Sequence, residues 1–170
     1  VLSQSGGYDS VRGLTGAAVM KLHYQLESLR MEFDPRQFTQ VNADMNARLI
    51  ATAIDYLKPL TKKEIIDLFC GIGNFSLPMA RSGASVLGVE FAQESVSQAR
   101  LNAQINELAG AEFEVADLYK ESPWLQKKPN ATALVLDPPR SSAGLLLDVW
   151  LQELKQLEEI VYVSCKPLSF

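Results

Sequence analysis

A chain of 170 residues has room for one domain with a full hydrophobic core and little left for a second. Its formal charge of −4 argues against indiscriminate adhesion to nucleic acid, which needs a basic surface, though not against a local basic strip. Two cysteines and one histidine exclude a disulfide framework, a cysteine zinc site and histidine-based triads, and no metal site is expected.

Residues 1–14 are rich in glycine and serine without a period and read as a loop or linker. Val1 is not an initiator methionine, and the first residues lack the basic and apolar parts of a secretory signal. No run is long and apolar enough to cross a bilayer. The expectation is a piece cut at both ends from a cytoplasmic protein with no membrane partner. Residues 22–33 read as strand material with a hairpin turn at Glu27-Ser28, and His23 as a half-exposed structural residue within it. Asp34-Pro35-Arg36 is a turn. Residues 42–57 carry Met45, Leu49, Ile50, Ala53, Ile54 and Leu57 at helical spacing, and Pro59 closes that helix.

From Glu64 the rhythm changes to βα repeats. Strands are predicted at 64–69, 85–89, 112–115, 133–136 and 160–163. A helix follows Asn74, tolerates Pro78 near its first turn and ends at Ser82-Gly83. Further helices are predicted at 93–106 and at 145–157, the last with an apolar face of Leu146, Val149, Trp150 and Leu154. This alternation predicts an α/β fold with a doubly wound, mainly parallel, Rossmann-like sheet and right-handed crossovers. The expected division is an N-terminal linker and β hairpin over 1–35 and the sheet domain over 36–170. Trp124 and Trp150 are expected in the core, and Lys62-Lys63 and Lys127-Lys128 in solvated loops.

In an open parallel sheet, ligands bind outside the carboxyl ends of the strands. Three signatures stand there: the run from Asp67 to Asn74, the run Asp137-Pro138-Pro139-Arg140, and Cys165 just past the last strand. Gly71 and Gly73 permit a tight turn and close approach of a ligand to the backbone. Ser76 occupies the place of the third glycine in the dinucleotide fingerprint. Glu90 ends the next strand, placed for two ribose hydroxyls, and Asp117 ends the one after. The set suits an adenosine-containing cofactor, either a nicotinamide dinucleotide or S-adenosylmethionine. Cys165 beside it can serve as a nucleophile. Cys70 reads as a small buried residue, and Asp137, leaving an apolar strand, needs a partner.

Residues 67–78 resemble the cofactor loop of S-adenosylmethionine-dependent methyltransferases. Phe38-Thr39-Gln40-Val41-Asn42 resembles the F-x-Q-x-N motif of the RNA (uracil-5)-methyltransferases. Asp137-Pro138-Pro139-Arg140 resembles their DPPR motif, and Ser164-Cys165-Lys166-Pro167 their SCNP motif. The resemblance runs from about Leu29 to the last residue and is greatest to the bacterial branch acting on 23S ribosomal RNA, with the tRNA branch the near alternative. It implies S-adenosylmethionine as cofactor, contacted by Gln40, Phe69, Asn74, Glu90 and Asp117. It places Asp137 between cofactor and target base and makes Cys165 the nucleophile that adds to C6 of uracil so that C5 can accept a methyl group. It implies RNA as partner, offering a single-stranded or flipped uridine.

The chain departs from that pattern in three ways. Lys166 stands for the usual asparagine, and a cation there would lower the pKa of Cys165. The family's general-base glutamate lies beyond the last residue, so the sheet domain is expected to be incomplete at its C-terminus. The family's N-terminal RNA-gripping domain and iron–sulfur cysteines are not in this sequence. Two other readings stay open. One is an amino-directed methyltransferase, whose motif also begins Asp-Pro-Pro but puts an aromatic where Arg140 stands. The other is a chain that binds S-adenosylmethionine without turnover.

Overall fold

The computed structural model describes residues 2–3, 12–13, 21–40, 42–120, 123–139 and 146–164. Near the N-terminus β1 (Leu2–Ser3) pairs antiparallel with β2 (Arg12–Gly13). The predicted hairpin is present: β3 (Leu22–Leu26) and β4 (Leu29–Phe33) pair antiparallel around Glu27-Ser28, where Glu27 adopts φ 51°. His23 is exposed on β3.

Helix α1 (Ala43–Leu57) is capped by Asn42, whose Oδ1 accepts the Met45 N–H at 3.0 Å. Its buried stripe is Asn46, Ile50, Ala53 and Leu57. Ile50, Ala53 and Leu57 of the predicted face are buried, and Leu49 and Ile54 pack against the same core. Only Met45 departs, left 59% exposed while polar Asn46 beside it turns inward.

The remaining strands are β5 (Glu64–Leu68), β6 (Ser85–Glu90), β7 (Ala111–Val115), β8 (Ala133–Leu136) and β9 (Glu159–Tyr162). They form one parallel sheet in the order β7-β6-β5-β8-β9. The three central strands β5, β6 and β8 are buried on both sides, which is why they are nearly continuous apolar runs, whereas the edge strands β7 and β9 keep exposed residues. Side chains alternate between two cores. Ile65, Val86, Phe113, Ala133 and Val135 face α1, α2 (Ser76–Arg81) and α3 (Gln93–Ile105). Leu26, Leu29 and Met31 of the hairpin belong to this same core. Ile66, Leu68, Leu87, Val89, Leu134 and Leu136 face Trp124, Trp150 and Leu154 on the other side.

The hairpin is fastened to α3 by two asparagines one helical turn apart. Asn102 accepts the Glu32 N–H at 2.9 Å and donates to the Glu32 carbonyl at 3.0 Å. Asn106 does the same for Arg30, at 2.9 and 2.8 Å. The side chains thus satisfy an edge of β4 that would otherwise lack partners. Both groups lie far from their partners in sequence, so neither was legible as more than a helix residue.

The last helix is shorter than predicted. Helix α4 spans Leu146–Glu153, and the chain then turns, the Leu157 N–H donating to the Leu154 carbonyl at 3.2 Å. Trp150 and Leu154 are buried as expected, but Val149 is 51% exposed. The face runs through Leu147, Trp150 and Leu154, from which Val149 is displaced by about 100°. Trp124, on a 3₁₀ turn at Pro123–Lys127 that the sequence pattern did not reveal, packs edge-on to Trp150 with ring centroids 6.1 Å apart. The lysine pairs are also less free than predicted. Lys63 bridges the Leu57 carbonyl and Glu159, Lys127 pairs with Glu114 at 2.6 Å, and Lys128 donates to Ser85 Oγ at 2.7 Å.

Candidate active site

The chain runs β5, β6, β7 outward in one direction and then returns to lay β8 and β9 on the other side of β5. Such a reversal opens a crevice at the carboxyl ends of β5 and β8. A cleft of about 1740 Å³ lies there. Pockets for a single small ligand are typically about 300–1000 Å³, so this one has room for a nucleoside cofactor and part of a second ligand.

Gln40, Phe69, Gly71, Glu90, Asp117 and Asp137 all line this cleft. They arrive from the loop before α1 and from the ends of β5, β6, β7 and β8. Val163 and Ser164 line it too, immediately before Cys165. Cys165 itself, Lys166, Arg140 and Val41 lie outside the described residues. Gly73 and Asn74 are not on the cleft wall.

The two loop glycines have different reasons to be glycine. Gly71 has φ 55°, and nothing stands within 4 Å of where its Cβ would be. The space a side chain would fill is the cleft. Gly73 has φ 93°, and a Cβ there would meet Leu77 Cγ at 3.0 Å and Phe113 Cζ at 3.3 Å. Gly73 therefore serves packing beneath the loop. Between strand and glycines, Phe69 sits at φ 62°, a left-handed conformation that costs a bulky residue on the order of 1–2 kcal/mol. Its ring meets Tyr119 at 6.2 Å, on the cleft side.

Glu90 ties the end of β6 to the glycine loop. Its Oε1 accepts the N–H groups of Phe91 at 2.7 Å and Ala92 at 3.0 Å, and its Oε2 accepts that of Gly71 at 3.2 Å. A carboxylate has roughly four acceptor sites, so capacity remains for a ligand hydroxyl. Asp117 accepts the Tyr119 N–H at 3.0 Å and pairs with Lys120 at 3.0 Å. The hydrogen bond from Lys120, with that from Tyr119, holds its carboxyl below the usual range. Burial pushes Asp137 up.

The last position of the F-x-Q-x-N stretch now has a physical reading. Phe38 and Gln40 line the cleft, whereas Asn42 is the helix cap described above. Gln37, unremarked in the sequence, anchors this segment: its Oε1 accepts the Asp34 N–H at 2.9 Å and its Nε2 donates to the Glu94 carbonyl at 3.0 Å.

Sequence reasoning also missed Asp67 as a chemical group. It is 1% exposed, on the face of β5 toward α2. Ser76, the residue in place of the third glycine, donates its hydroxyl to Asp67 Oδ2, while Oδ1 has no partner. Burial, with Asp137 and Glu90 nearby, pushes its pKa up to about 7 despite the Ser76 hydrogen bond. Cys70, beside it, is buried as expected, and burial pushes its thiol up as well. In the unfolded chain Asp67 ionises near its ordinary 3.8. Between those values the folded state holds an extra proton, so stability falls as pH rises and levels off above about 7. The loss between about pH 5.5 and 8 is on the order of 2 kcal/mol. Urea unfolding across that range should show it, and Asp67→Asn should flatten the profile. Equal slopes in parent and variant would remove the assignment.

Among the described residues the lining has five acidic side chains (Asp34, Glu90, Glu94, Asp117, Asp137) against two basic ones, Lys21 and Arg36, and Arg36 is paired with Asp34. Such a wall suits hydroxyls and positive charge and repels a pyrophosphate. Helix α2, at six residues, begins with the buried Ser76. The open cradle at Gly71 and the acid at Glu90 thus fit a nucleoside with a cationic group better than a nicotinamide dinucleotide.

A doubly wound sheet with this acid-walled crevice at its switch point is the Rossmann-like arrangement of nucleoside-dependent methyltransferases. The sequence model of the tRNA (Uracil-5-)-methyltransferase family matches residues 18–121. The 23S rRNA (uracil(1939)-C(5))-methyltransferase RlmD of Stenotrophomonas maltophilia is 45% identical over 172 residues, covering 98% of this chain and 37% of that protein. The same enzyme of Shewanella amazonensis is 43% identical over 86% of the chain and 33% of its own length. Among solved structures, Pyrococcus abyssi tRNA (uracil-54, C5)-methyltransferase in complex with S-adenosyl-L-homocysteine superposes with a TM-score of 0.71. It shares 27% identity, over 86% of this chain and 35% of that one. The chain belongs to the tRNA (uracil-5-)-methyltransferase family, and it spans about a third of the length of the relatives it matches.

Proposed function

We propose that this chain is the methyl-donor-binding and nucleophile-bearing part of a cytoplasmic enzyme that methylates C5 of a uridine in RNA, with 23S ribosomal RNA as substrate. The observation that carries the reading is the convergence of Gly71, Glu90, Asp137 and Ser164 on one cleft, with Cys165 the next residue. The 45% identity to a 23S rRNA enzyme favours ribosomal RNA. The tRNA reading has the family description and the archaeal neighbour on its side.

Gln40, Phe69, Gly71, Glu90 and Asp117 would hold the cofactor, Glu90 by hydroxyl recognition and Phe69 by its ring. When bound, S-adenosylmethionine supplies an electrophilic methyl group. The chain's own task is to make a poor carbon nucleophile into a good one. Cys165 adds its thiolate to C6 of uracil, forming a C–S bond and moving the C5–C6 π electrons onto C5 and the adjoining carbonyl. C5 would then form a bond to the donor's methyl group as the methyl–sulfur bond breaks and leaves a neutral thioether, and the thiolate departs after the C5 proton has gone to a base, restoring the C5–C6 double bond. Asp137, at the end of β8, accepts the N3–H of the ring. A uridine must leave its stack to reach such a site. An amino-directed reaction would leave Cys165 without a role.

The test is RNA carrying 5-fluorouridine, incubated with chain and S-adenosylmethionine and examined by intact-mass spectrometry. Fluorine at C5 cannot leave as a proton, so a covalent adduct should accumulate on the parent and vanish in Cys165→Ser. No adduct on the parent with either ribosomal or transfer RNA overturns the reading, and the RNA that is trapped distinguishes the two substrates.

A further inference from the structure

The cleft has two walls that the chain makes separately: the segment ending at Gln40, which leads into α1, and the glycine loop after β5. A reciprocal side-chain pair joins them. Asn46, on the first turn of α1, donates its Nδ2 to Asn74 Oδ1 at 2.9 Å, and Asn74 donates its Nδ2 to Asn46 Oδ1 at 2.9 Å. Tyr24 of the hairpin adds its hydroxyl to the same Asn74 oxygen at 3.4 Å. Asn46 is 4% exposed, and its amide has no contact with the cleft. Asn74 is likewise off the cleft wall, one residue after Gly73.

A reciprocal amide pair fixes both distance and orientation, since each side chain offers one donor and one acceptor to the other. It therefore sets where α1, with Gln40 two residues before its cap, stands relative to Gly71. We infer that Asn46 is a positioning residue for the methyl-donor site, acting through Asn74 to hold the glycine loop in its binding shape. The inference rests on the reading of the cleft as an S-adenosylmethionine site. Truncation of either partner leaves the other's buried polar atoms short of a hydrogen bond, and the loop is then free to relax away from α1.

The experiment uses Asn46→Ala, Asn74→Ala and the double variant in the full chain. Titration calorimetry with S-adenosylhomocysteine should show Kd raised about tenfold by Asn46→Ala. On the Asn74→Ala background the second change should add nothing, because its route is already cut. In the ligand-free protein, amide hydrogen exchange at residues 71–75 should quicken while that of β6 and β7 is unchanged. Independent, multiplicative losses in the double variant overturn the inference, as does an Asn46→Ala variant with parental Kd and exchange. A parent chain that fails to bind S-adenosylhomocysteine sinks the cofactor reading instead, and exchange at 71–75 still decides the positioning role. If Asn46→Ala does not fold, Asn46→Asp, which keeps the acceptor and loses the donor, takes its place with the same two readouts.

Discussion

Gly88→Ala should cost the fold about 3 kcal/mol, at the upper end of what overpacking a core costs. Gly88 lies in β6, registered against Phe113 of β7. A Cβ on it would stand 2.6 and 2.7 Å from two carbons of the Phe113 ring and 2.9 Å from Cys70 Sγ. The ring cannot simply swing aside. Its far edge already lies beneath Gly73, and it is buried in the core that α2 and α3 close. The thermal midpoint should fall by roughly 6–12 °C for a chain of this size. Phe113→Leu in the same chain should return part of the loss by vacating the space, although alone it would destabilise through the gap it leaves. A single variant within about 1 kcal/mol of the parent would mean that β6 and β7 yield more readily than their packing indicates.

Asp137→Ala should slow adduct formation on 5-fluorouridine RNA by a factor of about 100–1000, the usual range for removing one preorganised hydrogen-bonding group from a reacting centre. The argument is positional. The Asp137 N–H extends the ladder by one bond to the Leu68 carbonyl at 3.4 Å, and on the other side the Val163 N–H reaches the Leu136 carbonyl at 2.8 Å. Two prolines follow, with no N–H to continue pairing, so the strand must end there. Asp137 is thereby held between the strand that feeds the glycine loop and the strand that leads to Cys165. Its ordinary role as a carboxylate requires ionisation, and burial raises its pKa. The rate should therefore decline on the acid side at a higher pH than an exposed aspartate would dictate. Stability should change little or rise slightly in the alanine variant, because a half-buried carboxyl is lost. A rate unaffected by the change would remove Asp137 from the mechanism and leave it as a strand terminator.

Much of this molecule was legible as pattern. The five strands and their order of appearance follow from short apolar stretches between helical segments, four of them with an acid at or just past the strand end, and the hairpin from a two-residue turn between strand segments. Gly71, Glu90, Asp117 and Asp137 were legible because a parallel sheet presents all its strand ends at one edge, whatever the details of packing, whereas Gln40 and Phe69 were pointed to by the family resemblance alone. Errors arose where a helix face had to be chosen by local hydrophobicity alone. Met45 and Val149 read as inward and are exposed; Asn46, which carries no apolar signal, is buried.

The chain's own order of residues determined the fold class, the hairpin, the glycine turn and the set of acids gathered about it, since each depends on periodicity or on backbone freedom within a few residues. Only the folded structure decided which polar groups turn inward and what they hold. Asn46 meets a partner 28 positions away, and Asn102 and Asn106 meet theirs at 70 and 76. Such pairings are invisible locally because an amide is equally content in water. It becomes structural only when a distant backbone or side chain completes its hydrogen bonds in a place from which water is excluded.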